Sequence, residues 1–256
     1  MITALAPDPL FPVTYAVSKQ LLPIYNKPLI YYPLSTLMLA GINDICIVTN
    51  PDDLPLFKKL LSDGSQFGIK ISYVTQSEPR GIADAILLSE EFLSDSEFCL
   101  ILGDNIFHGP GLGRDLMRNR NITGGVIFGF QVRNPSDYGV AEFDELGSLI
   151  NVIEKPENPP SNTAITGLYF YENSVIQLVK ELKPSNRGEL EITDLNKKLL
   201  LEDRLSLSML PRGTSWLDTG TFDGIHDASS FVRIVEERTG ILIGDPNEVA
   251  LTQGWL

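Results

Sequence analysis

The sequence predicts an α/β protein: a Rossmann-like, mostly parallel sheet flanked by helices, with a β-rich second half. Three observations carry that prediction. Short apolar, β-branched runs alternate with helix-length segments through the first hundred or so residues. Phe98-Cys99-Leu100-Ile101-Leu102 runs directly into Gly103-Asp104-Asn105, the pattern of a buried strand ending in a tight turn on a carboxylate. From Gly124 to Tyr171, strands follow one another through turns rather than through helices.

Taken in order, Met1–Ala6 is a short apolar run suited to a first strand, and Pro7-Asp8-Pro9 breaks it. Leu10–Gln20 reads as loop. Pro28–Ala40 reads as a helix closed by Gly41, with Pro33 accommodated near its first turn or kinking it. Asp44–Thr49 is a β-branched strand, Asp52–Leu61 a helix and Ile69–Thr75 a strand. Ile82–Leu93 is an amphipathic helix entered through Pro79-Arg80-Gly81, followed by the strand at Phe98–Leu102. Gly124–Gln131, Val140–Phe143, Leu149–Glu154 and Ala164–Tyr171 are strands joined by turns. Helices are expected at Ser174–Leu182 and Glu191–Glu202, and a strand at Leu205–Met209. Trp216-Leu217-Asp218-Thr219-Gly220 ends in a loop before a long helix, Phe222–Glu237. No repeat and no evident linker interrupts the chain, so residues 1–256 are expected to form one compact domain.

The 256 residues suffice for a substantial core. A net charge of −13 argues against a nucleic-acid polymer as partner, which needs a basic footprint. It leaves room for a small anion held by a local lysine or arginine cluster. The two cysteines, Cys46 and Cys99, lie inside apolar runs and read as buried thiols, with neither metal-site spacing nor a disulfide framework. The sequence begins with no secretory signal and contains no apolar run of membrane-spanning length, so the expected location is cytoplasmic.

Each candidate site residue has a plain alternative. Asp104, beyond the carboxyl end of a parallel strand, suits Mg²⁺, a hard ion that takes one or two carboxylates plus phosphate oxygens; equally, it caps a turn. Asp218 could share that ion, or cap the helix that follows. Lys19 and Lys155 could meet phosphate as mobile point charges, or simply be solvated. Gln76 and Pro79-Arg80-Gly81 could read a base edge and let the backbone approach a flat ring, or form an ordinary turn. Gly167, within Thr166–Tyr171, marks close approach of a ligand or backbone, or a bulge. His108 and His226 are isolated, and there is no Gly-x-Ser-x-Gly and no Walker A motif.

In combination these segments resemble the bacterial glucose-1-phosphate thymidylyltransferases. The matching stretches include Ala-Val-Ser-Lys-Gln-Leu-Leu-Pro-Ile-Tyr at 16–25, Lys-Pro-Leu-Ile-Tyr-Tyr-Pro-Leu-Ser at 27–35 and Leu-Gly-Asp-Asn-Ile-Phe at 102–107. Others are Tyr-Gly-Val at 138–140, Glu-Lys-Pro at 154–156, Thr-Gly-Leu-Tyr-Phe-Tyr at 166–171, Arg-Gly-Glu-Leu-Glu-Ile-Thr-Asp at 187–194 and Trp-Leu-Asp-Thr-Gly at 216–220. The resemblance implies transfer of a thymidylyl group from dTTP to α-D-glucose 1-phosphate, giving dTDP-glucose and pyrophosphate, in the dTDP-rhamnose pathway. It implies that Asp104 and Asp218 bind Mg²⁺. Lys155 would hold the sugar phosphate and Lys19 the nucleotide phosphates, these two lysines being the catalytic pair. Gln76 and Gly81 would face the thymine, and Tyr138, Gly139, Glu154, Ile165 and Thr166 would line the glucose pocket. The nucleotide-binding half is then about 1–120 and the sugar-binding half, with its β-rich insertions, about 121–256. Resemblance also implies a homo-oligomer, a tetramer.

The sequence departs from the family at one diagnostic point. Where the family carries a Gly-Gly-x-Gly-Thr-Arg-Leu phosphate loop, this chain has Pro7-Asp8-Pro9-Leu10. Each proline removes an N–H donor, and Asp8 adds negative charge. The sequence also ends at Leu256, short of the family's last C-terminal helices. Two function classes therefore stand at this point: an active nucleotidylyltransferase, or an impaired homologue that retains sugar-nucleotide binding.

Overall fold

A computed structural model describes residues 1–3, 10–119 and 122–256 of the chain. They pack as two compact units. Unit one comprises Met1–Pro79, Ile101–Arg118 and Gly213–Leu256; unit two comprises Arg80–Leu100 and Asn119–Arg212. The Pro7-Asp8-Pro9 segment lies outside the described residues.

The parallel layer expected from the first half is present in unit one. Ile2–Thr3 lies between two parallel neighbours, with Ile2 opposite Ile47 and Ile101, and Thr3 opposite Val48 and Leu102. The strand Asp44–Thr49 runs parallel to Lys70–Thr75, from Asp44 opposite Lys70 to Thr49 opposite Thr75. Ile45, Cys46, Ile47 and Val48 are all fully buried, as expected of a strand covered on both faces. Because these strands run the same way, Thr3, Thr49, Thr75 and Leu102 end at one edge. Gln76 and Gly103-Asp104 lie immediately beyond it, where ligands of open α/β sheets bind.

Gly103 is required by close approach. Its N–H donates to the Thr3 carbonyl at 2.8 Å. A Cβ there would stand 2.7 Å from that oxygen and 2.9 Å from Gln20 Cγ, so no side chain fits. The chain then forms a strand the sequence did not announce. Asn105–His108 pairs antiparallel with Ser215–Asp218, setting Asp218 opposite Asn105 and Trp216 opposite Phe107. The Trp216 indole N–H donates to Asn105 Oδ1 at 2.6 Å.

The helix Phe222–Thr239 starts where Thr221 Oγ1 accepts from Gly224 N–H at 3.0 Å. Its Ala228 and Val232 pack with Ile24, Leu29, Tyr32, Ile106 and Ile243. In its last turn, Glu236 meets the hairpin formed by Pro23–Ile24 and Lys27–Pro28. Lys27 Nζ donates to Glu236 Oε1 at 2.6 Å and to Asn26 Oδ1 at 2.7 Å. Asn26 Nδ2 and the Ile243 N–H also donate to the Glu236 carboxylate, at 2.7 and 2.8 Å. Burial alone would push that carboxyl up, but these donors and the lysine charge hold it below its usual range.

Unit two carries the β-rich part. Thr163–Tyr171 pairs antiparallel with Gly125–Gln131, and Leu205–Met209 runs parallel to the latter on its other side. Gly139–Phe143 pairs antiparallel with Leu149–Glu154, and Val140 also lies opposite Ala164. The register of Thr163–Tyr171 shifts between Ile165 and Tyr169, so Gly167 sits in a bulge. The expected helix Ile82–Leu93 is two helices, Ile82–Leu88 and Glu90–Leu93, divided at the fully buried Ser89. Among the described residues, no helix is long and apolar enough to cross a membrane.

Candidate active site

The expected site residues divide between the units: Lys19, Gln76, Asp104 and Asp218 in unit one, and Gly81, Tyr138, Gly139, Glu154, Lys155, Ile165 and Thr166 in unit two. In unit one, Lys19 and Asp104, 85 positions apart, form a buried ion pair between Lys19 Nζ and Asp104 Oδ2. Asp104 Oδ1 accepts from Asn105 Nδ2 at 3.0 Å. The Asp104 backbone is fixed as well: its carbonyl accepts from both the N–H and the hydroxyl of Thr219, at 3.0 and 2.7 Å. The same strand pairing carries the half-buried Asp218, whose Oδ1 accepts from Gly220 N–H at 3.1 Å. The Leu-Gly-Asp-Asn and Trp-Leu-Asp-Thr-Gly motifs therefore end side by side, with a carboxylate in each.

Lys19 opens a short 3-10 turn, Lys19–Leu21, whose position is set from two sides. The Ser18 N–H donates to Asp53 Oδ1 at 3.2 Å. Asp53 is in turn locked to Asn50 by reciprocal hydrogen bonds of 2.6 Å each. The Gln20 carbonyl accepts from Ile30 N–H at 2.8 Å, joining the turn to the hairpin behind it. Gln76 is buried past the end of its strand, with its N–H donating to the Thr49 carbonyl at 2.9 Å. Thr219, Asn50 and Asp53 were not singled out from the sequence. Asn50-Pro51-Asp52-Asp53 did carry a signal, being a polar turn directly after a strand's carboxyl end, the position Asp104 also holds.

In unit two, neighbouring strands bring Gly139, Glu154 and Ile165 together, with Tyr138 and Lys155 beside them; Thr166 follows Ile165 on the strand Thr163–Tyr171. Glu154 lies opposite Gly139, and the Lys155 N–H donates to the Tyr138 carbonyl at 3.0 Å. Lys155 adopts φ 42°, a left-handed conformation that a non-glycine residue keeps only when its surroundings enforce it. Thr166 Oγ1 is fully buried with no hydrogen-bond partner among the described residues. Thr193 joins this group by donating its hydroxyl to Glu154 Oε2 at 2.6 Å. Gly81 has φ 98° and packs on the Leu190 backbone, where a Cβ would lie 2.4 Å from the Leu190 carbonyl oxygen. That packing is by itself sufficient reason for glycine at this position.

The chemistry available is charge neutralisation and alignment. Cys99 is buried and its thiol is pushed up to about 12, which leaves it inert as a nucleophile. His108 packs edge-on against Phe231, and burial lowers its pKa. A buried ammonium paired with the Asp104 carboxylate, with Asp218 on the neighbouring strand, is a donor set of the kind that suits Mg²⁺ and polyphosphate. Among the described residues, no cluster of three His, Cys, Asp or Glu side chains offers a richer metal site.

Comparison with known proteins agrees with this chemistry. Residues 8–234 match the family described as Nucleotidyl transferase. The glucose-1-phosphate thymidylyltransferase of Mycolicibacterium smegmatis is 52% identical over 247 residues, covering 96% of this chain and 86% of that protein. The protein of the same name from Neisseria meningitidis is 50% identical over 248 residues, again covering 96% and 86%. Among solved structures, a putative glucose-1-phosphate thymidylyltransferase from Bacillus anthracis, in complex with a sucrose, superposes with TM-score 0.83 at 34% identity, covering 91% of this chain and 94% of that one. A UDP-glucose pyrophosphorylase complexed with UDP-glucose superposes with TM-score 0.79 at 25% identity, covering 91% and 97%. With half its residues shared over nearly its whole length, the chain belongs to the nucleotidyl transferase family and, within it, to the glucose-1-phosphate thymidylyltransferases.

Proposed function

We propose that the chain transfers a thymidylyl group from dTTP to α-D-glucose 1-phosphate, forming dTDP-glucose and releasing pyrophosphate. The observation that carries this is identity of 50–52% over 96% of the chain to proteins named for that reaction. A sugar-phosphate oxygen attacks the α-phosphorus as the bond to pyrophosphate breaks. Such a displacement needs alignment and charge neutralisation, and no covalent intermediate.

The roles divide by unit. In unit one, Lys19 neutralises the nucleotide phosphates, Gln76 pairs with the thymine, and Asp104 and Asp218 hold Mg²⁺. When bound, the ion supplies positive charge to the phosphate oxygens. The donor set fits it: two carboxylates leave the remaining positions to water and phosphate, the ligands Mg²⁺ prefers. In unit two, Lys155 meets the sugar phosphate, Gly81 stands by the base, and Tyr138, Gly139, Glu154, Ile165 and Thr166 take the glucose. The single-domain reading of residues 1–256 belongs to this proposal, supported by a family match that spans residues 8–234. So do a homotetramer, a cytoplasmic location and a place in dTDP-rhamnose synthesis.

The impaired-homologue reading rests on Pro7-Asp8-Pro9 alone, and no described residue or relative favours it. A coupled pyrophosphate-release assay with dTTP, glucose 1-phosphate and Mg²⁺, run beside UTP and ATP, tests the proposal. Turnover fastest with dTTP is expected. Absence of pyrophosphate from dTTP would overturn it.

A further inference from the structure

We infer that Asp53 is a positioning residue for the nucleotide: paired with Asn50, it holds the Ser18 amide and so sets the place from which Lys19 reaches the nucleotide phosphates. This rests on the phosphate role proposed for Lys19 and adds to it the pair that fixes that lysine's backbone.

The usual work of an aspartate in this place is to cap a helix. Asp53 immediately precedes the helix Leu54–Leu61, yet its carboxylate accepts nothing from that helix. The first turn is closed by backbone instead, the Asp53 carbonyl accepting from the N–H groups of Leu56 and Phe57 at 2.9 and 3.1 Å. The carboxylate faces elsewhere. Its Oδ1 accepts from the Ser18 N–H at 3.2 Å, 35 positions away in sequence, and its Oδ2 accepts from Asn50 Nδ2 at 2.6 Å. Asn50 Oδ1 accepts from the Asp53 N–H at 2.6 Å, so one amide grips both ends of the aspartate and fixes the plane of its carboxylate. The pair stands just past Thr49, the end of a parallel strand, where ligands of such sheets bind.

Ser18 leads directly into Lys19. It has φ −55° and ψ 138°, and the 3-10 turn Lys19–Leu21 begins immediately after it. The Ser18 carbonyl accepts from Leu21 N–H at 2.9 Å, and the Gln20 carbonyl accepts from Ile30 N–H at 2.8 Å. Asp53 therefore holds the chain on the entering side of Lys19, and Ile30 holds it on the leaving side. A lysine ammonium is a point charge on a flexible four-carbon stem, so its reach is decided by where its Cα is pinned. Lys19 is buried and its ammonium pairs with Asp104, which leaves little slack for a shifted backbone.

The donor count makes the order of the pair testable. An ionised carboxylate only accepts, whereas an amide has one oxygen to accept and one nitrogen to donate. In Asp53→Asn, the new amide meets two donors, Ser18 N–H and Asn50 Nδ2. Whichever way it turns, a donor faces a donor. The exchanged pair, Asn50→Asp with Asp53→Asn, removes that conflict. The carboxylate at position 50 accepts from the amide and the N–H of position 53, and the amide oxygen at 53 accepts from Ser18. Net charge is unchanged by the exchange.

The experiment compares wild type, Asp53→Asn, the exchanged pair, Lys19→Gln, and Lys19→Gln combined with Asp53→Asn. Pyrophosphate release is measured with dTTP and glucose 1-phosphate, and calorimetry measures dTTP binding without the sugar phosphate. Asp53→Asn is expected to weaken dTTP binding about tenfold and to lower kcat/KM for dTTP about ten- to a hundredfold, the scale of a small misplacement of a catalytic group. The KM for glucose 1-phosphate is expected to stay within about twofold, and the exchanged pair to come within about threefold of wild type. In the Lys19→Gln background, Asp53→Asn is expected to change either reading by less than about twofold, because both substitutions act through one ammonium. A merely structural role would cost the same factor whether or not Lys19 is present.

Turnover by wild type with no loss in Asp53→Asn, with no recovery in the exchanged pair, or with the same loss in the Lys19→Gln background overturns this inference and leaves the proposed function standing. Absence of turnover, with dTTP binding weakened by Asp53→Asn, restored by the exchange and indifferent to Asp53→Asn once Lys19 is replaced, supports the inference and overturns the proposed function. Neither turnover nor dTTP binding by wild type overturns both.

Discussion

Replacing Lys27 with methionine keeps the length of the side chain and removes its charge from a buried pair. The Lys27 and Glu236 side chains are 8% and 6% exposed. Glu236 then loses its cationic donor at 2.6 Å but keeps the neutral donors Asn26 Nδ2 and Ile243 N–H. Breaking a buried pair from one side costs about 3–5 kcal/mol, because the other charge is left uncompensated. Two surviving hydrogen bonds place the expected loss at the lower end, about 3 kcal/mol. With a urea slope of about 3 kcal/mol per molar, the midpoint falls by about 1 M.

The penalty also depends on pH. In wild type the Glu236 carboxyl titrates below its ordinary value of 4.5, so its stabilisation is present above 4.5 and is lost as pH falls through the folded value. In Lys27→Met, burial loses its main opponent and pushes the carboxyl upward, so protonation relieves the variant as pH falls. The gap between the proteins is therefore widest near neutrality and narrows toward pH 4.5 and below. Urea unfolding of both proteins from pH 7 to pH 4 reads this directly, at low concentration because the isoelectric point is about 4.6. A double variant, Lys27→Met with Glu236→Leu, is expected to be more stable than Lys27→Met alone, since no charge is stranded. A midpoint unchanged at pH 7, or a gap constant with pH, would refute this reasoning.

Lys19→Gln is expected to lower kcat/KM for dTTP by about a hundred- to a thousandfold, the usual loss for a donor that stabilises developing charge. Pyrophosphate release measures it, with unfolding followed in parallel because Asp104 is left buried beside a neutral group. Asp218→Asn is expected to raise the Mg²⁺ concentration for half-maximal activity by about tenfold or more, read from a Mg²⁺ titration of turnover. Gly81→Ala forces a side chain to φ 98°, ψ 166° and onto the Leu190 carbonyl, so a loss of at least about 2 kcal/mol is expected in thermal unfolding. An unchanged Tm would show that the Leu190 backbone yields easily.

Local pattern was enough to place much of the secondary structure. Asp44–Thr49, Phe98–Leu102, Leu149–Glu154 and Leu205–Met209 have the bounds read from the sequence, because each is an apolar or β-branched run closed by turn residues. One missed helix, Pro246–Gln253, carried a legible start. Asp245 caps it by accepting from the N–H groups of Asn247 and Glu248, with Pro246 in its first turn. No apolar stripe follows, so periodicity had nothing to detect.

The candidate site was legible only in part. The matched motifs supplied roles for Lys19, Gln76, Asp104, Asp218 and the sugar-side residues, whereas spacing alone left each with an ordinary alternative. What the sequence by itself determined was the α/β class, the edge where Asp104 and Gln76 stand, and the motifs that mark the family. Tertiary structure alone decided that Asn105–His108 is a strand and that it pairs antiparallel with Ser215–Asp218. It also decided that Lys19 meets Asp104, that Thr219 fixes the Asp104 backbone and that Thr193 holds Glu154. The physical reason is common to all four. Sequence pattern reports a residue's dihedral preference and its burial, both of which depend on near neighbours. A hydrogen bond between residues 39 to 115 positions apart depends on where the folded chain closes.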